Sequence, residues 1–449
     1  MKRFFKWLGA ILLISIFAVA IFATHQWFTD KPINLRVYLD RETLKMALDS
    51  PETLTSLGFL ESVGITKHNA LLDDNSPEKG DELFAQLKQV RQGILQYQDQ
   101  DLDKNELMSK QIALYLLDFL VENEQYRYHN YPVNQLFGIQ NNYPSFMQAQ
   151  HQVNSTRDAM HYIARLEAVN LQFQQTIAGL KIRQQQQIIP PAFVIDRVID
   201  EMQKFIETPI AENILYSSLE QKLTDIESFP ADEKQQILQQ AETAISQSVY
   251  PAYQQLIDYF IQIRPLAGNN DGMWHMPDGD KVYASSLAFF TTTDMTADEI
   301  HQLGLSEIER IQAEMLAILA LEGYDTSQGF NAAMEQLKAD PSQYYPDTDA
   351  GRAQILADYQ TILDEIGAGL DHAFRVRPEA GMEVVRIPEF KEKTSPGAYY
   401  QQPAIDGSRP GRFFANLYDI KATPKYSMRT LAYHEAYPAI TFKLRFRWN

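Results

Sequence analysis

The sequence predicts a mainly α-helical protein with a small β-sheet near its C-terminus, preceded by an N-terminal membrane helix. Apolar residues recur at helical spacing over most of the 449 residues. From Glu383 the pattern becomes extended, with short segments rich in Val, Tyr and Phe between Pro and Gly turns. The first 23 residues join a basic start to an apolar run. The hydrophobic fraction of 45% is typical of a globular protein with a buried core.

The N-terminal segment, residues 1–30, is predicted to be an uncleaved signal anchor. Lys2, Arg3 and Lys6 precede an apolar run from Trp7 to Ala23, which is close to the shortest length that spans a bilayer. Positive charge before the run places the basic residues in the cytoplasm, so the body would face the periplasm from the bacterial inner membrane. A secreted, periplasmic protein after signal cleavage is the alternative, because Ala18-Val-Ala20 resembles a cleavage site.

A helical domain is predicted over residues 31–265, followed by a C-terminal region over residues 266–449. The turn-rich stretch from Pro265 to Gly272 is the predicted boundary. Residues 231–263 form one long helix or two, because Pro251 interrupts the pattern. The other predicted helices cover residues 82–97, 106–124, 154–182, 193–206, 296–322 and 352–374.

Three short strands are predicted in the C-terminal region, over residues 384–387, 398–401 and 412–417. They precede a last helical segment that carries His434 and Glu435. A zinc peptidase helix carries a histidine ligand, an adjacent glutamate as general base and a second histidine soon after. The sequence therefore contains the first part of a metal-binding motif without its second histidine, because no histidine follows His434.

Composition and missing motifs exclude several classes of function. The net charge of −18 gives nucleic-acid binding no electrostatic basis, so no nucleic-acid partner is expected. The chain has no cysteine, which excludes disulfides, thiolate metal ligands, a cysteine nucleophile and a lipid-bearing cysteine. There is no Walker loop, dinucleotide fingerprint, Gly-x-Ser-x-Gly elbow or calcium loop, so nucleotide-dependent enzymes and serine hydrolases have no support.

The segment from Gly407 to Pro438 carries a resemblance to a known family. It contains Gly-Ser-Arg-Pro-Gly-Arg-Phe-Phe-Ala-Asn-Leu-Tyr and Ala-Tyr-His-Glu-Ala-Tyr-Pro. It strongly resembles the bacterial family called domain of unknown function 885, whose pattern here is His-Glu-x-x-Pro-Gly-His-His-x-Gln. Gly272–Asp280 and Ile188–Val194 are also similar, and the resemblance covers about residues 34–438. It implies a large helical zincin-like peptidase fold with zinc as cofactor and short peptides as substrates.

The resemblance also implies roles for individual residues. His434 would be a zinc ligand and Glu435 would polarise the attacking water. Four residues would flank the substrate cleft, where they could stabilise an oxyanion or grip a carboxylate: Tyr399, Tyr400, Arg409 and Arg412. Each also has a purely structural interpretation: the His-Glu pair would be ordinary solvent-exposed helix residues, the tyrosines would pack within a strand, and the arginines would form ion pairs that close turns.

The sequence departs from the family pattern at Ala439, Ile440 and Thr441. A shift of one nucleotide turns possible codons for Ala439–Lys443 into codons for Gly-His-His-Phe-Gln, which predicts a frameshifted product cut off inside its metal motif. A divergent natural tail is the alternative.

Without a second motif histidine, zinc is expected to bind weakly or not at all, and the protein is expected to be inactive or nearly so. Other candidate donors are His275, His301 and His372. A non-catalytic helical envelope protein that binds peptides or serves as a scaffold is the second hypothesis.

Overall fold

The computed structural model describes residues 17–58, 60–227, 229–269, 272–372, 381–387, 392, 396–401 and 410–436. The chain divides into two compact units, Met1–Ala297 and Asp298–Asn449. Both are built mainly from α-helices, and the second contains a small β-sheet, which confirms the predicted helical class and the position of the sheet. The predicted domain boundary at residues 265 and 266 lies within the first unit and stays a prediction.

The predicted anchor lies only partly within the described residues. Residues 1–16 fall outside them, and residues 17–28 are helical. Phe17, Val19 and Ile21 expose more than half of their surface. In the part of the chain that the structure describes, no helix combines the length and the apolar character needed to cross a bilayer.

Helices α1 to α11 belong to the first unit. They are α1 (Leu35–Leu48), α2 (Pro51–Leu57), α3 (Pro77–Leu95), α4 (Lys104–Glu122), α5 (Ile139–Ala149), α6 (Thr156–Gln185), α7 (Ala192–Glu207), α8 (Ile214–Thr224), α9 (Ala231–Ala244), α10 (Tyr250–Ile263) and α11 (Gly279–Thr291). A π-helical turn at Ile245–Val249 separates α9 from α10, and Pro251 lies in the first turn of α10. Val249 has helical backbone angles (φ −67°, ψ −57°), so the chain stays helical through the π-turn. Pro251 lacks an N–H for the helix ladder, and the irregular turn lies directly before it.

The long helix α6 is the centre of the first unit's core. Ser155 caps its N-terminus by accepting a hydrogen bond from the Asp158 amide. Its buried side chains recur every three or four residues: Tyr162, Leu166, Val169, Phe173, Ile177 and Leu180. This stripe packs in one cluster with apolar residues of α7 and α10, including Val198 and Phe260. The helical periodicity of the sequence therefore produces the core directly.

A fully buried arginine joins α6 to α2 and to the segment that follows α2. The Arg165 guanidinium donates to the carbonyl oxygens of Leu71 (2.7 Å) and His68 (3.1 Å) and to the hydroxyl of Thr55 (2.7 Å). It also lies 2.9 Å from Nδ1 of the buried His151, whose Nε2 is 3.2 Å from the Asp158 carbonyl oxygen. Burial, followed by the charge of Arg165, lowers the pKa of His151 to about 3. His151 is therefore neutral, with Nδ1 accepting from Arg165 and Nε2 donating to Asp158.

The second unit contains four helices and a three-stranded sheet among its described residues. The helices are α12 (Ala297–Leu321), α13 (Phe330–Ala339), α14 (Asp349–Gly369) and α15 (Lys425–Ala436), and the strands are β1 (Met382–Arg386), β2 (Ala398–Gln401) and β3 (Gly411–Ala415). The strand order is β1-β3-β2, with β1 parallel and β2 antiparallel to β3. The predicted strands overlap all three.

One face of this sheet is covered by helices. Residues of β3 alternate between buried and half-buried, so Phe413 and Ala415 point to one face while Phe414 points to the other. Phe413 is fully buried, and its ring lies 4.9 Å from that of Tyr359 on α14. Met428 and Ala432 of α15 belong to the same cluster. The core of the second unit is therefore the layer between β3 and the helices α14 and α15.

Candidate functional site

Helix α15 presents His434 and Glu435 at the edge of the core of the second unit. Met428 and Ala432, four residues apart, are buried and fix which side of the helix faces the sheet. Glu435 follows Met428 by two helical turns, so it lies on the same side and is half-buried. His434 lies about 100° around the helix axis from Glu435 and is exposed. Arg429 fixes the helix further by an ion pair of 2.7 Å with Glu365 of α14.

The described residues do not form a catalytic zinc site around this pair. A catalytic zinc normally takes three protein ligands. No three His, Asp or Glu side chains in the described ranges come together in a way that could hold a metal ion. Neither His434 nor Glu435 forms a side-chain hydrogen bond or ion pair with another described residue. The donor set on α15 is one imidazole and one carboxylate, and it does not fit the metal.

The other candidate donors are located elsewhere. His275 belongs to the first unit, where Nδ1 contacts the Gly272 carbonyl oxygen and Nε2 lies 3.4 Å from the Tyr131 hydroxyl. His301 is exposed on α12, and His372 is exposed after the end of α14. Within the described part of the chain, neither His301 nor His372 joins a group of three donors.

The residues predicted to bind substrate lie on opposite faces of the sheet. Tyr399 stacks on Phe414, with ring centroids 4.7 Å apart, on the face away from α15. Arg412 is on that same face and pairs with Glu383 of the neighbouring strand β1. Tyr400 points to the face that α15 covers, and its hydroxyl is buried against Gly411. Arg409 lies outside the described residues.

Gly411 is required for the position of Tyr400. A Cβ atom at residue 411 would lie 2.8 Å from the Tyr400 hydroxyl oxygen, closer than a van der Waals contact allows. The Pro-Gly-Arg step that begins β3 therefore lets a tyrosine hydroxyl pack directly against the strand backbone. Of the predicted substrate residues that are described, Tyr400 alone shares a face with α15.

A cavity of about 780 Å³ in the first unit was not anticipated from the sequence. We call it the α3–α6 cavity, because those two helices supply much of its wall. Glu52 accepts hydrogen bonds there from the Gln172 side chain (2.7 Å) and the Asp73 amide (3.1 Å). Lys79 forms ion pairs with Asp49 (2.5 Å) and Glu82 (3.1 Å). The wall is thus a network of fixed charges of both signs.

The α3–α6 cavity could not be found from local motifs. Its lining residues come from positions as distant as Met46 and Arg183, and no spacing along the chain connects them. Leu83, Phe137 and Ile139 give part of the wall an apolar character. A concave surface that combines apolar area with a few fixed polar groups is typical of ligand-binding pockets.

Comparisons with known proteins agree on a family and a fold. The family described as "Bacterial protein of unknown function (DUF885)" matches residues 51–438. The crystal structure of a candidate lipoprotein from Colwellia psychrerythraea is similar with a TM-score of 0.81 and 26% identity, covering 90% of this chain and 70% of that chain. A candidate lipoprotein of unknown function from Shewanella oneidensis shares the fold, with a TM-score of 0.62, 14% identity and the same two coverages. A search of the curated proteins gave no match.

Proposed function

Because this chain belongs to the bacterial family of unknown function DUF885, we propose that it is an envelope protein of zinc-metallopeptidase-like ancestry whose own metal site is incomplete. The observation that carries the proposal is the exposed His434 beside the half-buried Glu435, on a helix packed against a small sheet. The described residues around the pair supply no further metal donor. The family chemistry proposed is hydrolysis of short peptides, and this chain is expected not to perform it.

The N-terminal sequence and the relatives support an envelope location. The basic start and the apolar run from Trp7 to Ala23 favour an inner-membrane anchor with the body in the periplasm. Both solved relatives are described as candidate lipoproteins. This chain contains no cysteine that could carry a lipid, so its own apolar segment would provide the attachment. A cleaved signal peptide would leave a periplasmic protein instead.

Restoring the two motif histidines is expected to create a zinc site. In the variant Ala439→Gly/Ile440→His/Thr441→His, the added imidazoles join His434 as possible ligands, whereas the unaltered chain has Pro438 at the usual fourth position after His434. We expect zinc affinity to rise by about tenfold or more, as measured by competition with a chromophoric chelator.

His434→Ala should abolish this gain, and His301→Ala, which removes an exposed histidine from α12, should not affect it. Equal zinc affinity in the unaltered chain and the triple variant would contradict the proposal. Retention of the gain after His434→Ala would contradict it as well.

The α3–α6 cavity favours a second candidate function, binding of short peptides without chemistry. Its volume of about 780 Å³ lies in the range of ligand pockets, about 300–1,000 Å³. Lys79 and Arg183 on its wall could attract a peptide carboxylate, and Asp74 and Glu82 could attract an amino terminus. This function needs no metal, so peptide binding by the metal-free chain, rather than zinc content, tests it.

Gly80→Phe is expected to weaken peptide binding to the cavity by about tenfold or more. Gly80 lines the cavity, and a Cβ atom built on it meets no atom within 4 Å, so the ring would enter the cavity without a local clash. Gly304→Phe is the matched control, because Gly304 is an exposed glycine of α12 with equally open space. Equilibrium dialysis against labelled tri- and tetrapeptides measures the difference, and equal binding by both variants would exclude the cavity.

A further inference from the structure

A second concave site in the first unit lies between α5 and α7. Its volume is about 350 Å³, and we call it the α5–α7 cleft. One face of α5 lines it with Asn141 and Gln148, and α7 lines it with Glu201 and Phe205. Tyr253 of α10 contributes to the same surface. The cleft includes neither His434 nor Glu435, so a ligand bound there would be independent of the proposed function.

Glu201 places a buried carboxylate oxygen at this cleft. Its Oε2 atom is shielded from solvent and has no hydrogen-bond partner among the described residues. Burial raises the pKa of Glu201, while the side-chain amides of Asn141 and Gln140 act in the opposite direction. A buried carboxylate oxygen without a donor costs folding free energy, which a ligand that donates hydrogen bonds would recover. The Glu201 side chain as a whole is half-buried and lines the cleft.

An aromatic pair forms another part of the cleft. The rings of Phe205 and Tyr253 are stacked, with centroids 4.2 Å apart and planes inclined by 19°. Tyr253 is fully buried, and its hydroxyl donates to the Gln140 carbonyl oxygen at 2.7 Å, which holds the ring in place. Tyr253 therefore lies behind Phe205, and the half-buried ring of Phe205 is the aromatic surface at the cleft. An aromatic ring attracts cations, and a carboxylate beside it adds a charged acceptor.

The protein's own nearby cation is already paired. Lys204 lines the cleft, but its ammonium group lies 2.6 Å from Asp200, four residues earlier on α7, and its side chain is 72% exposed. The cleft therefore combines a carboxylate acceptor with aromatic surface, while its lysine is directed to a partner at the surface.

We propose that the α5–α7 cleft binds the primary ammonium group of a small organic amine. The ammonium would donate hydrogen bonds to the Glu201 carboxylate, and the alkyl part would lie against the half-buried ring of Phe205. The volume of about 350 Å³ accommodates a ligand of side-chain size. The cleft places an anionic hydrogen-bond acceptor beside aromatic surface. The ligand that fits both is a cation that also carries apolar groups, which is why we propose an organic amine.

The test uses n-butylammonium as the probe and n-butanol as its uncharged counterpart, titrated into the purified full chain by calorimetry. Saturable binding of n-butylammonium is expected with a dissociation constant on the order of 1 mM, and no saturable binding of n-butanol. Glu201→Gln keeps the shape of the side chain and should weaken binding at least about tenfold. Glu207→Gln removes an exposed carboxylate from the same helix and should leave binding unchanged.

A cooperative thermal unfolding transition, measured for each variant without the probe, shows that the variant is folded. Equal binding by the folded Glu201→Gln variant and the unaltered chain would overturn the proposal, because the carboxylate would not be the ligand. Absence of saturable n-butylammonium binding by the folded unaltered chain would also overturn it. Glu201 would then be a buried acid with no partner of its own.

Discussion

Replacing Arg165 with methionine is expected to lower the free energy of unfolding of the first unit by about 3–5 kcal/mol. The side chain is fully buried and donates to Leu71, His68 and Thr55 as well as to His151. Methionine fills similar space but donates nothing, so these acceptors would be left buried without partners. Urea unfolding followed by circular dichroism measures the loss.

Arg157→Met is the matched control for Arg165→Met. Arg157 lies on the same helix, its side chain is 59% exposed, and its ion pair is with Asp158, the next residue. Asp158 is buried, but its carboxylate keeps the hydrogen bond from the Asn154 amide (3.2 Å) when Arg157 is replaced. The loss is therefore expected to be clearly smaller than for Arg165→Met, about 1 kcal/mol. Similar losses for both variants would show that the buried network does not attach residues 55–71 to α6.

Phe413→Ala is expected to destabilise the second unit by about 3–5 kcal/mol, because it removes a fully buried ring from the layer between β3 and α14. Phe414→Ala changes the neighbouring residue on the opposite face, where the ring is half-buried against Tyr399. That variant should lose at most about 2 kcal/mol. Chemical denaturation of both variants tests which face carries the core, and a larger loss for Phe414→Ala would contradict this arrangement.

Local sequence signals predicted the helices and strands well. The helix predicted over residues 106–124 is observed at Lys104–Glu122, where Asp103 and Glu106 form a capping box. The helix predicted over residues 82–97 begins earlier, at Pro77, because Ser76 caps it and Pro suits a first turn. The segment around Pro251 forms two helices joined by a π-helical turn, one of the two arrangements that the sequence left open.

Contacts between distant parts of the chain were beyond local pattern reasoning. In the sequence Arg165 is an ordinary polar position on a long helix, and its acceptors lie near residues 55–71 and at His151. The alternation of a strand predicts that Tyr399 and Tyr400 face opposite ways, but only the packing of α14 and α15 decides which of the two faces the core. The cavity and the cleft of the first unit depend on the same long-range packing.

The candidate site on α15 was predictable for a different reason. His434 and Glu435 were identified through the resemblance, and they do lie on a helix against a small sheet. Any metal chemistry of this pair needs further donors, and the described residues bring none to it. Arg412 and Tyr399 instead meet Glu383 and Phe414, the ion-pair and packing roles that strand positions usually have.

The zinc content of the purified 449-residue protein, measured by elemental analysis with a parallel assay of short-peptide hydrolysis, tests most directly whether the metal site is incomplete. Because α15 supplies only His434 and Glu435 as donors, we expect far less than one zinc ion per chain. We also expect no peptide hydrolysis that is inhibited by a chelator. One zinc per chain together with chelator-sensitive hydrolysis would contradict this, and it would mean that another residue supplies the ligand that His434 lacks in the proposed site.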